Sequence, residues 1–283
     1  MNEKYKGFIF VLVSSIAFGF MPIFGTLAYK SSLSIDVLLL FRFLIAAILM
    51  NIYVLTRKRA YPHGKTLVLL IGMGAIGYSA QSFSYFTALD LIGSSLTAIL
   101  LYLYPGIVLV LSIFLLKSKI TKSEFLALLL ASSGAVLVIG FQIENINFIG
   151  VIFGITAAVV YSLYILVGSK ATKGIDSFVA STVIISSTAI VYIINGIAND
   201  INIPTSIEQW KWIFAIAIVS TIIAIVTFFA GMKIIGPVKA SMISTLEPVV
   251  TLLFSFWILN ESMDIYQMLG AFLIILAALI LAK

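Results

Sequence analysis

The sequence predicts an all-α polytopic membrane protein, ten transmembrane helices arranged as a 5+5 inverted-topology repeat. Three observations carry that prediction. Apolar runs of spanning length recur from end to end, basic residues gather in alternate connections, and a single offset of 143 residues lays the second half on the first. Of the 283 residues 62% are apolar and 10% charged, with a mean hydropathy of +1.20. A soluble domain carries about 25% charged residues, so this much apolar side chain needs a bilayer. The absence of cysteine removes disulfides, thiolate metal sites and cysteine nucleophiles.

Uncharged runs able to cross roughly 30 Å of hydrocarbon fall at residues 7–28, 34–55, 66–88, 94–116, 125–143, 150–168, 178–198, 210–232, 237–259 and 265–282. They are called spans one to ten below. The first follows Lys4 and Lys6 but is as long as a full span, has no small-residue cleavage site and is followed by more of its kind. It therefore reads as a helix rather than a cleavable signal peptide. With the N-terminus on one side, fourteen of the seventeen lysines and arginines share that side, from Lys4 through Arg57–Arg59 and Lys117 to Lys283. The opposite side holds Lys30 and Lys211 with seven acids: Asp36, Asp90, Glu144, Asp200, Glu208, Glu261 and Asp264. These are the basic and acidic sides below. The positive-inside rule then places both termini in the cytoplasm and the chain in the cytoplasmic membrane. Because the charges are divided among short connections, they form no nucleic-acid footprint.

The offset relates Phe86, Ile92, Gly93, Leu103, Pro105, Leu109, Ser112 and Leu116 to Phe229, Ile235, Gly236, Leu246, Pro248, Leu252, Ser255 and Leu259. It also carries Gly7 to Gly150, Phe10 to Phe153 and Gly25 to Gly168. The repeat units are residues 1–143 and 144–283. Five spans is an odd number, so the second unit is inverted, an arrangement that suits alternating access. Pro105, Pro248, Gly93 and Gly236 are the expected helix breaks and gating points.

The candidate site follows from polar residues at membrane depth, which mark pathways because their insertion is costly. Glu247, near the middle of span nine and directly before Pro248, is the leading one: it could hold a substrate amine, a coupling proton, or each in turn. Ser244, itself one of the candidate binding residues, Thr245 or Arg42 could instead satisfy it, and burial and a neighbouring arginine would act on its protonation in opposite senses. Its repeat mate is Tyr104, with Tyr102 two residues earlier. In span three, Tyr78, Gln81 and Tyr85 share one helical face with Ser82, and Gly72, Gly74 and Gly77 permit close backbone approach. Phe18 of span one, with Tyr161 and Tyr164 of span six, completes an aromatic set; each of these rings could also serve only to brace the bundle. Arg42 in span two could bind a carboxylate or pair with Glu247. The simpler expectation is that its stem lets the guanidinium snorkel toward the acidic side near Asp36.

Other chemistries lack their parts. His63 sits among Arg57–Lys65 in a connection, no phosphate-cradling G-x-x-x-x-G-K-[ST] loop exists, and no serine–histidine or paired-carboxylate arrangement recurs. No metal or cofactor is expected, and the chain does not read as an enzyme.

F-x-A-L-D-L-I-G-S-S at residues 86–95 with Tyr104–Pro105, and F-x-G-M-K-I-I-G-P at 229–237 with Glu247–Pro248, resemble the drug/metabolite transporter superfamily, EamA type. L-N-E-S at 259–262 and Phe41-Arg42-Phe43 also fit, and the likeness covers the whole chain as two EamA units. The resemblance implies a central cavity, lined by spans one, three, four, six, eight and nine with five and ten peripheral. It further implies secondary transport of small organic metabolites, often amino acids or amines. Tyr104 opposite Glu247, and Ser118 opposite Glu261, depart from any scheme needing matched acids. The expected function is thus a secondary active permease or exporter of a small polar metabolite, an amino acid or amine-bearing compound, coupled to a proton or cation. Alternatives are a passive channel or structural membrane protein, or an enzyme on lipid-linked substrates. Spans five and ten could also pack a homodimer.

Overall fold

The computed structural model describes residues 3–139, 147–198, 203–259 and 263–282. Glu144, Asp200 and Glu261, assigned above to the acidic side, lie outside them, as do the side chains of Asp90, Ser94 and Ser95. Among the described residues ten helices are long and apolar enough to cross a membrane: Glu3–Lys30, Ile35–Thr56, Gly64–Ala88, Leu96–Leu116, Lys122–Ile139, Phe148–Ala171, Ser177–Ala198, Ile207–Ile235, Pro237–Ile258 and Ile265–Ala282. No strand occurs among the described residues. Outward-facing Ile48, Ile52, Phe114, Phe148, Ile197 and Phe272 are all at least half exposed, as a lipid-facing belt requires.

Polar caps in the connections start several spans. Asn147 accepts from the N–H groups of Ile149 and Gly150 at the head of span six, Asp176 from Phe178 and Val179 at span seven, and Ser206 with Gln209 forms a capping box at span eight. Each satisfies amide groups that hydrocarbon could not.

The helices of the two halves interleave. Span one packs most extensively on span eight, two on seven, five on ten, and the helical run Ser79–Leu101 on six. The repeat is visible at atomic detail. A Cβ on Gly7 would lie 2.6 Å from Ile235, and one on Gly150 would lie 2.5 Å from the repeat-related Ile92. Spans four and nine both break one residue ahead of an aligned pair. Tyr102–Leu103 form a turn before Tyr104–Leu116, and Ser244–Leu246 form a 3-10 turn before Glu247–Phe254. The residues leading into the new helices, Leu103 and Leu246, have φ/ψ of −69°/−20° and −68°/−18°. Pro105 and Pro248 each sit in the first turn that follows, where a missing N–H does no harm.

The matching glycines behave differently. Gly236 adopts φ +84° and ends the helix before Pro237, whereas Gly93 lies inside the helical run Ser79–Leu101 and makes no break. The reason is the next residue: Pro237 cannot continue a hydrogen-bonded helix, and its mate is Ser94, which can. Helical structure therefore passes through the connection expected between spans three and four.

Spans five and ten cross at glycine. A Cβ on Gly134 would lie 2.6 Å from the Gly270 carbonyl oxygen, and a Cβ on Gly270 2.6 Å from that of Gly134. This packing occupies one face of each helix within the chain. Gly134→Ala is expected to cost about 1–3 kcal/mol by overpacking, read as a lower melting temperature in detergent.

Candidate functional site

Of three π-helical segments among the described residues, two hold the partners of Arg42: Met73–Tyr78 in span three and Ile218–Ile223 in span eight, the third being Ser255–Leu259 in span nine. Such wide turns re-aim side chains and are frequent at functional sites. Their inward residues Tyr78 and Thr221 are repeat mates, and Arg42 lies between them. Its Nε donates to Thr221 Oγ1 at 2.7 Å and its Nη2 to Tyr78 OH at 3.0 Å. Nη1 reaches Met21 Sδ at 3.6 Å, and the guanidinium carbon lies 4.7 Å from the Phe43 ring centre. Arg42 is 3% exposed, so it does not snorkel toward Asp36. Two hydroxyls at its own depth supply a better-matched set of partners.

Arg42 and Glu247 line one cavity of about 440 Å³. Of the eleven residues proposed to bind, nine face it: Phe18, Arg42, Tyr78, Gln81, Tyr85, Tyr102, Tyr161, Tyr164 and Glu247, joined by Pro248. Tyr104 and Ser244 do not. Tyr104 is 1% exposed behind the wall, where its hydroxyl donates to the Ser241 carbonyl at 3.1 Å. Ser244 is fully buried in the 3-10 turn. Pro105 is buried as well.

The acid sits on the aromatic wall. Tyr102 OH donates to Glu247 Oε2 at 3.4 Å. From Tyr102 a chain of rings passes through Tyr104, Tyr161, Tyr164 and Tyr78 to Phe43, with centroids 4.8–6.2 Å apart. Among the described residues no ion pair joins Arg42 to Glu247; the two ion pairs there are Lys6–Glu3 and Arg59–Asp176. The cavity thus carries one cationic and one acidic side chain, each with hydrogen-bonding capacity left.

The lining residues show which way it faces. Spans one, two, three, four and nine contribute from mid-depth toward their acidic-side ends: Phe18 to Thr26, Arg42, Tyr78 to Phe86, Ala98 to Tyr102, and Glu247 to Ser255. Val138 and Ile139 at the end of span five and Gln267 at the start of span ten complete the rim, where Gln267 Nε2 donates to the Val138 carbonyl at 3.3 Å. Spans five and ten therefore touch the path, and span two supplies its cation, beyond the six spans expected. Toward the basic side the floor is packed shut. Met73, Tyr104, Phe229, Met232 and Ile243 are at most 4% exposed, and a Cβ on Gly168 would lie 2.7 Å from the Phe229 ring.

Thr221 and Pro22 were not singled out from the sequence. The 143-residue offset applied to Tyr78 finds Thr221 directly. Pro22, which starts the helix after the break at Phe20 in span one and lines the cavity, has Ile165 as its mate, so the repeat gives no hint of it.

The profile of the EamA-like transporter family matches residues 5–140 and again 148–283. The chain is 24% identical over 282 residues to the uncharacterized transporter YcbK of Bacillus subtilis, covering 95% of this chain and 90% of that protein. It is 27% identical over 225 residues to the uncharacterized transporter YyaM of the same organism, covering 76% and 73%. A solved crystal structure aligns with TM-score 0.83 at 18% identity, over 97% of this chain and 95% of that one, a likeness of fold. With two matched units and ten spanning helices around a polar cavity, the chain belongs to the EamA-like transporter family.

Proposed function

We propose that this multi-pass membrane transporter moves a small zwitterionic or amine-bearing metabolite, an amino acid by preference, across the cytoplasmic membrane by alternating access. The observation that carries the reading is the shared cavity of Arg42 and Glu247 among tyrosines. Arg42 would take a carboxylate, since a guanidinium matches that group's geometry. Glu247 would take the ammonium, with the rings of Tyr102 and Tyr161 supplying cation–π attraction. A cavity of about 440 Å³ falls in the range of small-molecule sites. Both termini would be cytoplasmic, so that the cavity faces outward in this state.

Uptake into proteoliposomes tests this. Saturable uptake with counterflow of at least one amino acid or amine is expected. Glu247→Gln should lower it about tenfold or more, the worth of a lost charge-assisted hydrogen bond. Flux without saturation or counterflow would mark a channel instead, and unchanged uptake by the glutamine variant would remove Glu247 from the site.

A further inference from the structure

Several contacts between the halves recur at repeat-related positions, and one beside the cavity does not. A Cβ on Gly19 would meet the Glu247 carbonyl oxygen at 2.9 Å, and at the repeat-related positions Ser162 Oγ donates to the Tyr104 carbonyl at 3.2 Å. The Gly7–Ile235 and Gly150–Ile92 contacts match in the same way. The exception lies toward the basic side, where Tyr104 OH donates to the main-chain carbonyl of Ser241 and ties span four to span nine. The offset converts that pair into Glu247 and Ala98. Those two residues face the open cavity. In an inverted repeat the opposite state exchanges the roles of the halves, so a bond that seals one side has its mate on the other.

The mates differ in chemistry. A phenol carries an O–H to donate, whereas a carboxylate accepts only, until it is protonated. The Ala98 carbonyl accepts from Tyr102 N–H at 2.9 Å and has a second lone pair free to accept another. We infer that Glu247 is a proton-operated gate: with a proton bound it donates to the Ala98 carbonyl and seals the acidic-side mouth, and when ionised it sets oxygen against oxygen and holds the mouth open. This rests on the transport reading above and adds the coupling ion. A substrate ammonium on Glu247 could supply the missing N–H in the same place. Either a proton or an amine then permits closure, and an empty, ionised carrier does not close. The transporter is thereby an exchanger of amine for proton.

The groups around Glu247 leave the proton in control. Tyr78 and Tyr85 of span three, Tyr102 of span four and Tyr161 of span six line the cavity with it, all of them phenols, and Tyr104 lies behind the wall. Arg42, the cavity's cation, directs its Nε and Nη2 at Thr221 and Tyr78.

The native chain has no cysteine, so spin labels on Leu96→Cys and Trp257→Cys report the separation of spans four and nine at their acidic-side ends in proteoliposomes. Between about pH 9 and pH 5, a range that brackets a buried carboxylate, the native protein should gain a shorter distance, its ratio to the longer one rising about tenfold or more. Glu247→Gln, whose amide donates at every pH, should show the short distance throughout; Glu247→Leu should lack it. A native distribution unmoved by pH, or a glutamine variant that titrates like the native protein, overturns the gate. Should the leucine variant fail to fold, the native and glutamine proteins decide alone. Saturable uptake beside a pH-insensitive mouth would overturn the gate and leave transport standing; a pH-driven mouth with no uptake of any amine or amino acid would do the reverse.

Discussion

Arg42→Leu should reduce uptake of amino acids about a hundredfold, and uptake of the corresponding decarboxylated amines far less. Arg42 is 3% exposed and its guanidinium donates to Thr221 of span eight and Tyr78 of span three. Bonds to a charged group contribute about 1.5–3 kcal/mol each, so its removal costs the packing of spans two, three and eight together. It also takes away the one group in the cavity able to hold a carboxylate by a planar pair of donors. Arg42→Lys tests the second effect apart from the first. Lysine keeps the charge but lacks the fork, so part of the amine uptake should return with little of the amino acid uptake. Parallel loss of both substrates, with a lower melting temperature, would instead make Arg42 a brace.

Why this residue was misplaced from sequence bears on what a chain discloses. Hydropathy and charge placement locate Arg42 in span two, and the nearest acid by number is Asp36. Its partners are 36 and 179 residues away in the sequence, on turns whose π-helical widening has no residue signature of its own. Glu247 was legible because one carboxylate before a repeated proline is a local fact. Tyr104 was legible only as its mate. That it would be buried behind the wall, bonded to Ser241, depends on how spans four and nine pack against each other, which no local pattern in the sequence spells out. The ten spans and the repeat were readable because length, charge and offset add over many residues. The break expected at Gly93 was not there because its neighbour is serine where the second half has Pro237. The two charges complete the comparison: the first half supplies Arg42, whose mate is Ile185, and the second supplies Glu247, whose mate is Tyr104. The repeat sets the helices that surround the cavity, and the two unmatched charges make it polar.

Gly74→Val should leave little folded protein, while Gly72→Ala, two residues away, should be harmless. Both glycines belong to the same glycine-rich stretch of span three, and the sequence does not separate them. In the structure a Cβ on Gly74 would collide with the carbonyl oxygen of Ile184 and lie 2.9 Å from its carbon, in the backbone of span seven. Nothing lies within 4 Å of a Cβ on Gly72, and Gly77 has only the Tyr164 ring at 3.4 Å. A flexible side chain could turn away from such a contact; a helix backbone must move as a body. The Gly74 carbonyl also accepts the hydroxyls of Ser79 and Thr188, both at 3.0 Å, which hold the π-helical turn open and fasten it to span seven. Forcing the helices apart would lengthen the Thr188 bond and shift Tyr78, whose hydroxyl carries Arg42. Overpacking alone costs about 1–3 kcal/mol or somewhat more, and Thr188 would keep its bond to the Ile184 carbonyl while losing the one that fastens the π-helical turn to span seven. Gly72→Ala should gain a few tenths of a kcal/mol to about 1 kcal/mol from helix propensity. Size-exclusion profiles and melting curves of the two variants in one detergent make the comparison. Equal behaviour would mean that spans three and seven do not approach at Gly74, and the placement of Tyr78 beside Arg42 would fail with it.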